Sequence, residues 1–317
     1  MLCQSTYHEL LKLFPRSEVR FNEPMKLHTS FRIGGPADAF FVPASGEDLK
    51  GVLKWCREKG IPVLVLGRGS NLLVRDGGVR GVVVHVGSAF MDFELQEEAK
   101  LTAGAGWPLS QLCAKCAALG LSGLEFACGI PGSLGGAVVM NAGAYGGQMS
   151  DVVEGVWALD YDANEVFLEG EKLQFRYRGS ALQDGRFVVI KALLKLHKAD
   201  PELISVQMGQ LAKARAEKQP LELPSAGSVF KRPPGHFAGR LIEQAGFKGR
   251  RIGGAQVSEK HAGFIVNLGG ATASDVIRLI GEIQKSVYES TGVLLEPEIK
   301  IVGEDPQGGG VCLRAQD

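Results

Sequence analysis

Three polar residues stand where apolar elements of this chain break. Arg178 lies in Leu173-Gln174-Phe175-Arg176-Tyr177-Arg178-Gly179-Ser180. Ser228 lies in Ser225-Ala226-Gly227-Ser228-Val229-Phe230, and Glu298 in Leu295-Glu296-Pro297-Glu298. Singly, each fits an ordinary place: a surface arginine, a turn or N-cap serine, a strand-end glutamate. As a set they have a specific chemistry. A serine hydroxyl gives up its proton only to a strong base such as a carbanion or enolate. An arginine and a carboxyl group can hold and polarise a substrate carboxylate where charge develops. No Ser/His/Asp or Cys/His set follows from motif spacing, so nucleophilic hydrolysis has no support.

Two glycine-built segments can supply a binding wall. Strand Pro62–Leu66, nearly all aliphatic and so expected to be buried on both faces, runs into Gly67-Arg68-Gly69-Ser70-Asn71-Leu72-Leu73. This turn lacks the Gly-Lys-Ser/Thr of a Walker loop. It also departs from the dinucleotide fingerprint, because Leu72 stands where the third glycine belongs. It can form a backbone nest for a pyrophosphate, with Ser70 and Asn71 as side-chain donors, or be a plain tight turn. The second segment, Gly123 to Ser150, has eight glycines in 28 residues, and Glu125 is its one charged residue. Apolar, glycine-rich sequence of this kind suits either a tight glycine corner or close backbone approach to a large planar cofactor.

The elements that position these residues read as follows. A short amphipathic helix occupies residues 3–14. A strand covers Ala37 to Val42, and Ser45-Gly46-Glu47-Asp48 caps a helix that ends at Gly60. Strands are expected near Val82–Val86, Phe93–Leu95 and Leu101–Gly104, and Pro108 opens a helix at its first turn. Val152–Tyr161 and Glu165–Leu168 read as a hairpin, Phe187–His197 as a long strand. Pro201–Glu217 is a helix whose basic end (Lys213, Arg215, Lys218) complements the dipole. Beyond Gln219–Pro224, a domain boundary, come a short helix over Ala238–Ala245, a turn at Arg250–Gly254 and a strand over Gly263–Asn267. Thr272 caps a helix over Val276–Ser290, and a strand runs from Leu295 to Gly303, entered through Pro297. βα units early, a β-rich middle and a small terminal α+β unit make an α+β protein of two or three subdomains.

Composition narrows the class. The chain has 317 residues, with 35 basic residues against 35 acidic ones, which argues against a broad nucleic-acid surface. No apolar run is long enough for a membrane helix, and no Lys/Arg-flanked apolar run marks a signal peptide. The six cysteines are scattered. Cys113-x-x-Cys116 falls in an apolar helical segment and reads as core, and the six histidines show no zinc spacing, so no metal is expected. A reducing, cytoplasmic setting fits.

Six motifs occur here in the order found in UDP-N-acetylenolpyruvoylglucosamine reductases: Leu66-Gly67-Arg68-Gly69-Ser70-Asn71-Leu72-Leu73, Gly129-Ile130-Pro131-Gly132-Ser133-Leu134-Gly135-Gly136, Asn141-Ala142-Gly143-Ala144-Tyr145-Gly146, Tyr177-Arg178-Gly179-Ser180, Ala226-Gly227-Ser228-Val229-Phe230 and Leu295-Glu296-Pro297-Glu298. The chain resembles that family from about Thr29 to Gly303. The resemblance implies an α+β fold with an FAD-binding domain of the vanillyl-alcohol-oxidase (PCMH) type in two subdomains, residues 20–86 and 87–200. A C-terminal α+β substrate domain would cover 201–303, and a mobile tail 304–317. It implies non-covalent FAD held by Gly67, Arg68, Gly69, Ser70, Asn71, Leu72, Gly129, Pro131, Gly132, Ser133, Gly136, Asn141, Ala142, Gly143, Ala144 and Tyr145. NADPH would be the co-substrate and the enolpyruvyl ether of UDP-GlcNAc the substrate. By the same likeness Ser228 is the proton donor, Arg178 and Glu298 stabilise the enolate, and Tyr177, Lys231, Arg232 and Lys248 bind substrate, the last three at its diphosphate.

Two departures qualify the likeness. With 49 residues between Arg178 and Ser228, the chain resembles the shorter subtype, which lacks a tyrosine-bearing inserted loop. Arg232 stands where many relatives have asparagine. The expected partner is a small molecule, with no nucleic acid, no membrane and a monomeric chain. A flavin oxidase of the same fold and a non-catalytic flavin or nucleotide module are the alternatives. Gly67–Leu73 contains no histidine of the kind that tethers flavin, and the co-occurrence of Arg178, Ser228 and Glu298 disfavours the module.

Overall fold

The structure is a computed structural model that describes residues 2, 4–160 and 162–306. The expected tail beyond residue 306, with Cys312, lies outside the described residues, as do Cys3 and Tyr161. Three lobes surround one long cavity, each built on a sheet.

The first sheet has the order Glu18–Pro24, Pro36–Val42, Val79–His85, Val63–Leu66. Its first pair is antiparallel and the others are parallel. Helix α1 (Gln4–Leu13) packs Leu10 into the core of this lobe. Helix α2 (Gly46–Glu58) is the crossover between two parallel strands. It starts where Ser45 Oγ accepts from Asp48 N–H, and it buries Leu49, Val52 and Cys56 against Ala39, Phe41, Val82 and Val84. Strand Val63–Leu66 corrects the expectation of a doubly buried strand. It is the sheet edge, with Val63 37% and Val65 40% exposed, and it lines the cavity. Its aliphatic sequence serves a ligand face rather than a second layer of core.

The second sheet is antiparallel throughout, in the order Glu165–Glu169, Val153–Leu159, Val188–Lys195, Lys100–Gly104, Phe93–Leu95. Helices α3 (Leu109–Ala118) and α4 (Leu134–Val139) add Leu109, Leu112, Cys113, Cys116, Leu134 and Val138 to the same core as the first lobe. Pro108 is the residue before α3 rather than within its first turn, with extended backbone angles. Burial pushes the Cys116 thiol up to about 12 and raises Cys113 as well, as inert core cysteines require.

Helix α5 (Pro201–Lys218) leads to the third lobe, starting at Asp200, whose carboxylate accepts from Glu202 N–H. The lobe's sheet runs Ser225–Ser228, Phe264–Asn267, Ala255–Val257, Arg251–Ile252. The expected turn at Arg250–Gly254 is thus the tip of a hairpin. Helices α6 (Ala238–Gln244) and α7 (Ala273–Thr291) cover it, α7 through Val276, Leu279, Ile280, Ile283 and Val287. Phe31 and Ile33 of the first lobe sit in this third core. The C-terminal strand is shorter than expected. Lys300–Val302 pairs in parallel with Leu72–Val74, which returns the chain to the first lobe, and Glu304 bridges to Gly78.

Candidate active site

Arg178 is placed by a tight turn. Arg176 and Gly179 exchange both backbone hydrogen bonds, 2.9 and 3.0 Å, which leaves Tyr177 and Arg178 at the tip. Arg178 has φ 54, a left-handed conformation that side-chain-bearing residues enter at a cost of about 1–3 kcal/mol. Neighbours hold it there. Gln183 Nε2 donates to the Arg178 carbonyl (2.9 Å), Asn141 Nδ2 donates to the Arg176 carbonyl (3.1 Å), and Ser180 Oγ donates to the Val139 carbonyl (2.7 Å).

Ser228 and Glu298 are placed by a shared ladder. Val229 N–H donates to the Gly263 carbonyl, Glu298 N–H to Val229 (2.7 Å), and Lys231 N–H to Glu296. Asn71 Nδ2 donates to the Glu298 carbonyl (3.2 Å), and Lys300 N–H donates back to the Asn71 carbonyl. The glycine turn of the first lobe is thereby tied to the catalytic strand end of the third. The side chains then meet. Arg178 Nε lies 2.6 Å from Glu298 Oε1, an ion pair whose N–H is not aligned as a hydrogen bond. Burial raises the Glu298 pKa above the usual carboxylate value, and the Arg178 guanidinium opposes that rise. The Ser228 hydroxyl has no hydrogen-bond partner among the described residues.

Two cavities share these three residues. The larger, about 940 Å³, is lined by strand Val63–Leu66, by Gly67, Arg68, Gly69, Ser70, Asn71 and Leu72, by Pro131, Gly132, Ser133 and Gly136, and by Ala142, Gly143 and Ala144. The smaller, about 350 Å³, is lined by Tyr177, Phe230, Arg232, Phe237, Arg240, Lys260 and His261. Arg178, Ser228 and Glu298 line both.

The glycine wall fits a large planar group. A Cβ on Gly67 would collide with Ser133 Oγ, and one on Gly69 (φ +60) with the His28 carbonyl. The turn therefore packs against both sides only as glycine, with backbone facing the cavity. Volume and lining are of the kind that bury a drug-sized or cofactor-sized ligand.

Other sequence-predicted residues fall elsewhere. Gly129 lies behind the wall, where a Cβ would stand 2.9 Å from Arg215 Cδ. Asn141 is 2% exposed and ties the glycine stretch together, its Oδ1 accepting from Ser150 N–H. Tyr145 points outward, 46% exposed. Lys231 pairs with Glu296 and Lys248 with Glu243, and neither lines a cavity. Arg232 does, its guanidinium 4.0 Å from the Phe237 ring.

Sequence reading missed Arg240, Lys260 and His261 in the smaller cavity, and Arg215 and Gln219 in the larger. Arg215 was expected to serve the helix dipole. A signal existed: Ile204, Met208, Leu211, Arg215 and Gln219 form the inward stripe of α5 at 3–4 spacing, so the arginine replaces an apolar residue on a buried face.

Comparison with known proteins agrees with this division. An FAD binding domain family matches residues 37–168, and the C-terminal domain of UDP-N-acetylenolpyruvoylglucosamine reductase matches 219–302. A solved UDP-N-acetylenolpyruvylglucosamine reductase from Thermus caldophilus superposes with a TM-score of 0.77 at 40% identity, covering 90% of this chain and 98% of that one. Fold and site thus define an FAD-dependent oxidoreductase, α+β, with an FAD-binding domain of the vanillyl-alcohol-oxidase type. A reductase of that name from Syntrophomonas wolfei is 49% identical over 299 residues, covering 94% of this chain and 100% of the relative. One from Caldanaerobacter subterraneus is 51% identical over 296 residues, 93% and 97% of the two chains. The chain belongs to the UDP-N-acetylenolpyruvoylglucosamine reductase family.

Proposed function

We propose that the chain reduces the enolpyruvyl ether of UDP-N-acetylglucosamine to UDP-N-acetylmuramate, with NADPH as reductant, in the cytoplasmic synthesis of peptidoglycan precursor. The observation that carries this reading is the meeting of Arg178, Ser228 and Glu298 on the shared boundary of the two cavities. The same reading assigns residues 20–86 and 87–200 to the two FAD-binding subdomains and 201–303 to the substrate domain.

The vinyl bond must gain a hydride at its terminal carbon and a proton at the carbon bearing the carboxylate. Bound FAD, held non-covalently by the Gly67–Leu72 turn and the wall from Pro131 to Ala144, supplies the hydride. Arg178 and Glu298 balance charge on the substrate carboxylate as electron density moves into it. Ser228 then gives its proton to the adjacent carbon. A weak acid is adequate because its target is a carbanion-like carbon, and it does not protonate weaker bases in the site. Tyr177, Arg232, Arg240 and Lys260 offer the nucleotide's diphosphate a phenol and three cations.

The test is NADPH oxidation with and without the enolpyruvyl substrate. Oxidation that depends on substrate and yields the lactyl ether is expected. Steady NADPH oxidation without substrate, and no lactyl product with it, would overturn the reading.

A further inference from the structure

Arg215 and Gln219 lie one turn apart on the inner stripe of α5, and both line the larger cavity. Each carries a buried polar atom without a partner among the described residues, Arg215 Nε and Gln219 Oε1. Burial pushes the Arg215 pKa down, and its ionisable neighbours are Tyr145 and Cys128 rather than a carboxylate. A cation left in that state costs several kcal/mol unless a ligand pairs with it. Gly129 leaves it room, since any larger residue there would meet its side chain. The next residue, Ala216, accepts at its carbonyl from Lys260 Nζ (2.6 Å), and Lys260 lines the smaller cavity with Ser228. This turn of α5 therefore adjoins the reacting end of the cavity.

We propose that Arg215 and Gln219 bind the pyrimidine edge of the flavin ring, and that Arg215 balances the negative charge this edge gains on reduction. The proposal rests on the flavin reading of the larger cavity. Hydrogen-bond character selects the group. A phosphate presents only acceptors and would leave the Gln219 oxygen unpaired. The ring edge presents carbonyl, N–H and carbonyl in a row, which gives a donor to the amide oxygen and acceptors to the guanidinium. An amide turned the other way still offers both characters. A guanidinium fixed beside the edge favours its charged, reduced form over the neutral, oxidised one.

Sulfite is the probe, because it adds reversibly to the oxidised ring and leaves the same edge negatively charged. Titration of the holoenzyme, followed by bleaching of the yellow absorbance, is expected to show Arg215→Met weakening sulfite binding on the order of 100-fold. Arg215→Lys keeps the charge without the fork, so it should weaken binding only several-fold. Gln219→Leu should raise the FAD dissociation constant by roughly tenfold, the worth of one hydrogen bond to a buried partner. Unchanged sulfite affinity in both arginine variants overturns the proposal. If FAD retention then falls sharply, Arg215 holds a phosphate; if only the KM for the UDP-sugar rises, it serves the substrate. A sulfite defect in Arg215→Lys as large as in Arg215→Met would mark packing and overturn the charge role. Should Arg215→Met lose its flavin, the Arg215→Lys titration decides: a several-fold weakening supports the proposal, no change overturns it. Wild-type protein purified without flavin would overturn both this proposal and the reading beneath it.

Discussion

At Arg178 the backbone and the side chain make opposing demands. Glycine or asparagine usually fills the second tip position of such a turn, yet the site holds an arginine with φ 54, fixed by Gln183, Asn141 and Ser180. Strain kept at a residue that pairs with Glu298 points to function at that position. Arg178→Gly should therefore separate stability from activity. Relief of roughly 1–3 kcal/mol of strain offsets the roughly 0.5–1 kcal/mol entropic cost of glycine and the lost ion pair. The urea midpoint should stay within about 1 kcal/mol of wild type, while turnover falls by the 100- to 1,000-fold typical of losing one charge-stabilising donor, on the order of 3–4 kcal/mol. A large loss of stability with near-normal turnover of the folded fraction would reverse the assignment. The three site residues were legible because each sits in a short, ordered motif. Arg215 was not, because the basic end of α5 has a sufficient explanation in the helix dipole, and nothing in the sequence tells which cation of Lys213, Arg215 and Lys218 turns inward.

Elements were most legible where local chemistry fixed them. Ser45 and Thr272 cap their helices as the sequence pattern required, and the hairpin between Val153–Leu159 and Glu165–Glu169 formed in antiparallel register. What failed was whatever depended on a distant surface. Val63–Leu66 reads as a core strand, but one side of it faces a cavity that no local pattern announces. Likewise, a long C-terminal strand shortens to Lys300–Val302 because its partner, Leu72–Val74, is only three residues long. A further contact of this long-range kind holds α7 to the first lobe. Asp76 accepts from Ala273 N–H (2.7 Å), Ser274 N–H (3.0 Å) and Ser274 Oγ (2.7 Å), so it satisfies first-turn donors that Thr272 cannot reach. Asp76→Ala should destabilise the protein by about 0.5–2 kcal/mol, the range for losing a helix cap, read from urea unfolding. An unchanged midpoint would mean that water replaces the carboxylate without cost.

For the whole molecule, the arrangement explains why no lobe alone can carry the reaction. The second lobe supplies Arg178, the third supplies Ser228 and Glu298, and Asn71 of the first ties its glycine turn to Glu298. Phe31 and Ile33 in the third core, together with the strand that returns through Lys300–Val302, fix the lobes around the cavity boundary. Sequence order places these residues 50 to 227 positions apart, and only the fold brings them to one wall. The α+β class and the identity of the three residues could be read from motifs. Their division between a flavin-sized cavity and a smaller cationic one could not, since that depends on three cores packing together.

The central claim is that Ser228 gives a proton to substrate after reducing equivalents have reached the cavity. Stopped-flow absorbance of Ser228→Ala separates the two halves of that claim. NADPH should still bleach the bound flavin at near the wild-type rate. Return of colour on adding the enolpyruvyl substrate should slow by roughly 100- to 10,000-fold, the typical cost of losing a general acid. Recovery of colour at the wild-type rate would contradict the account.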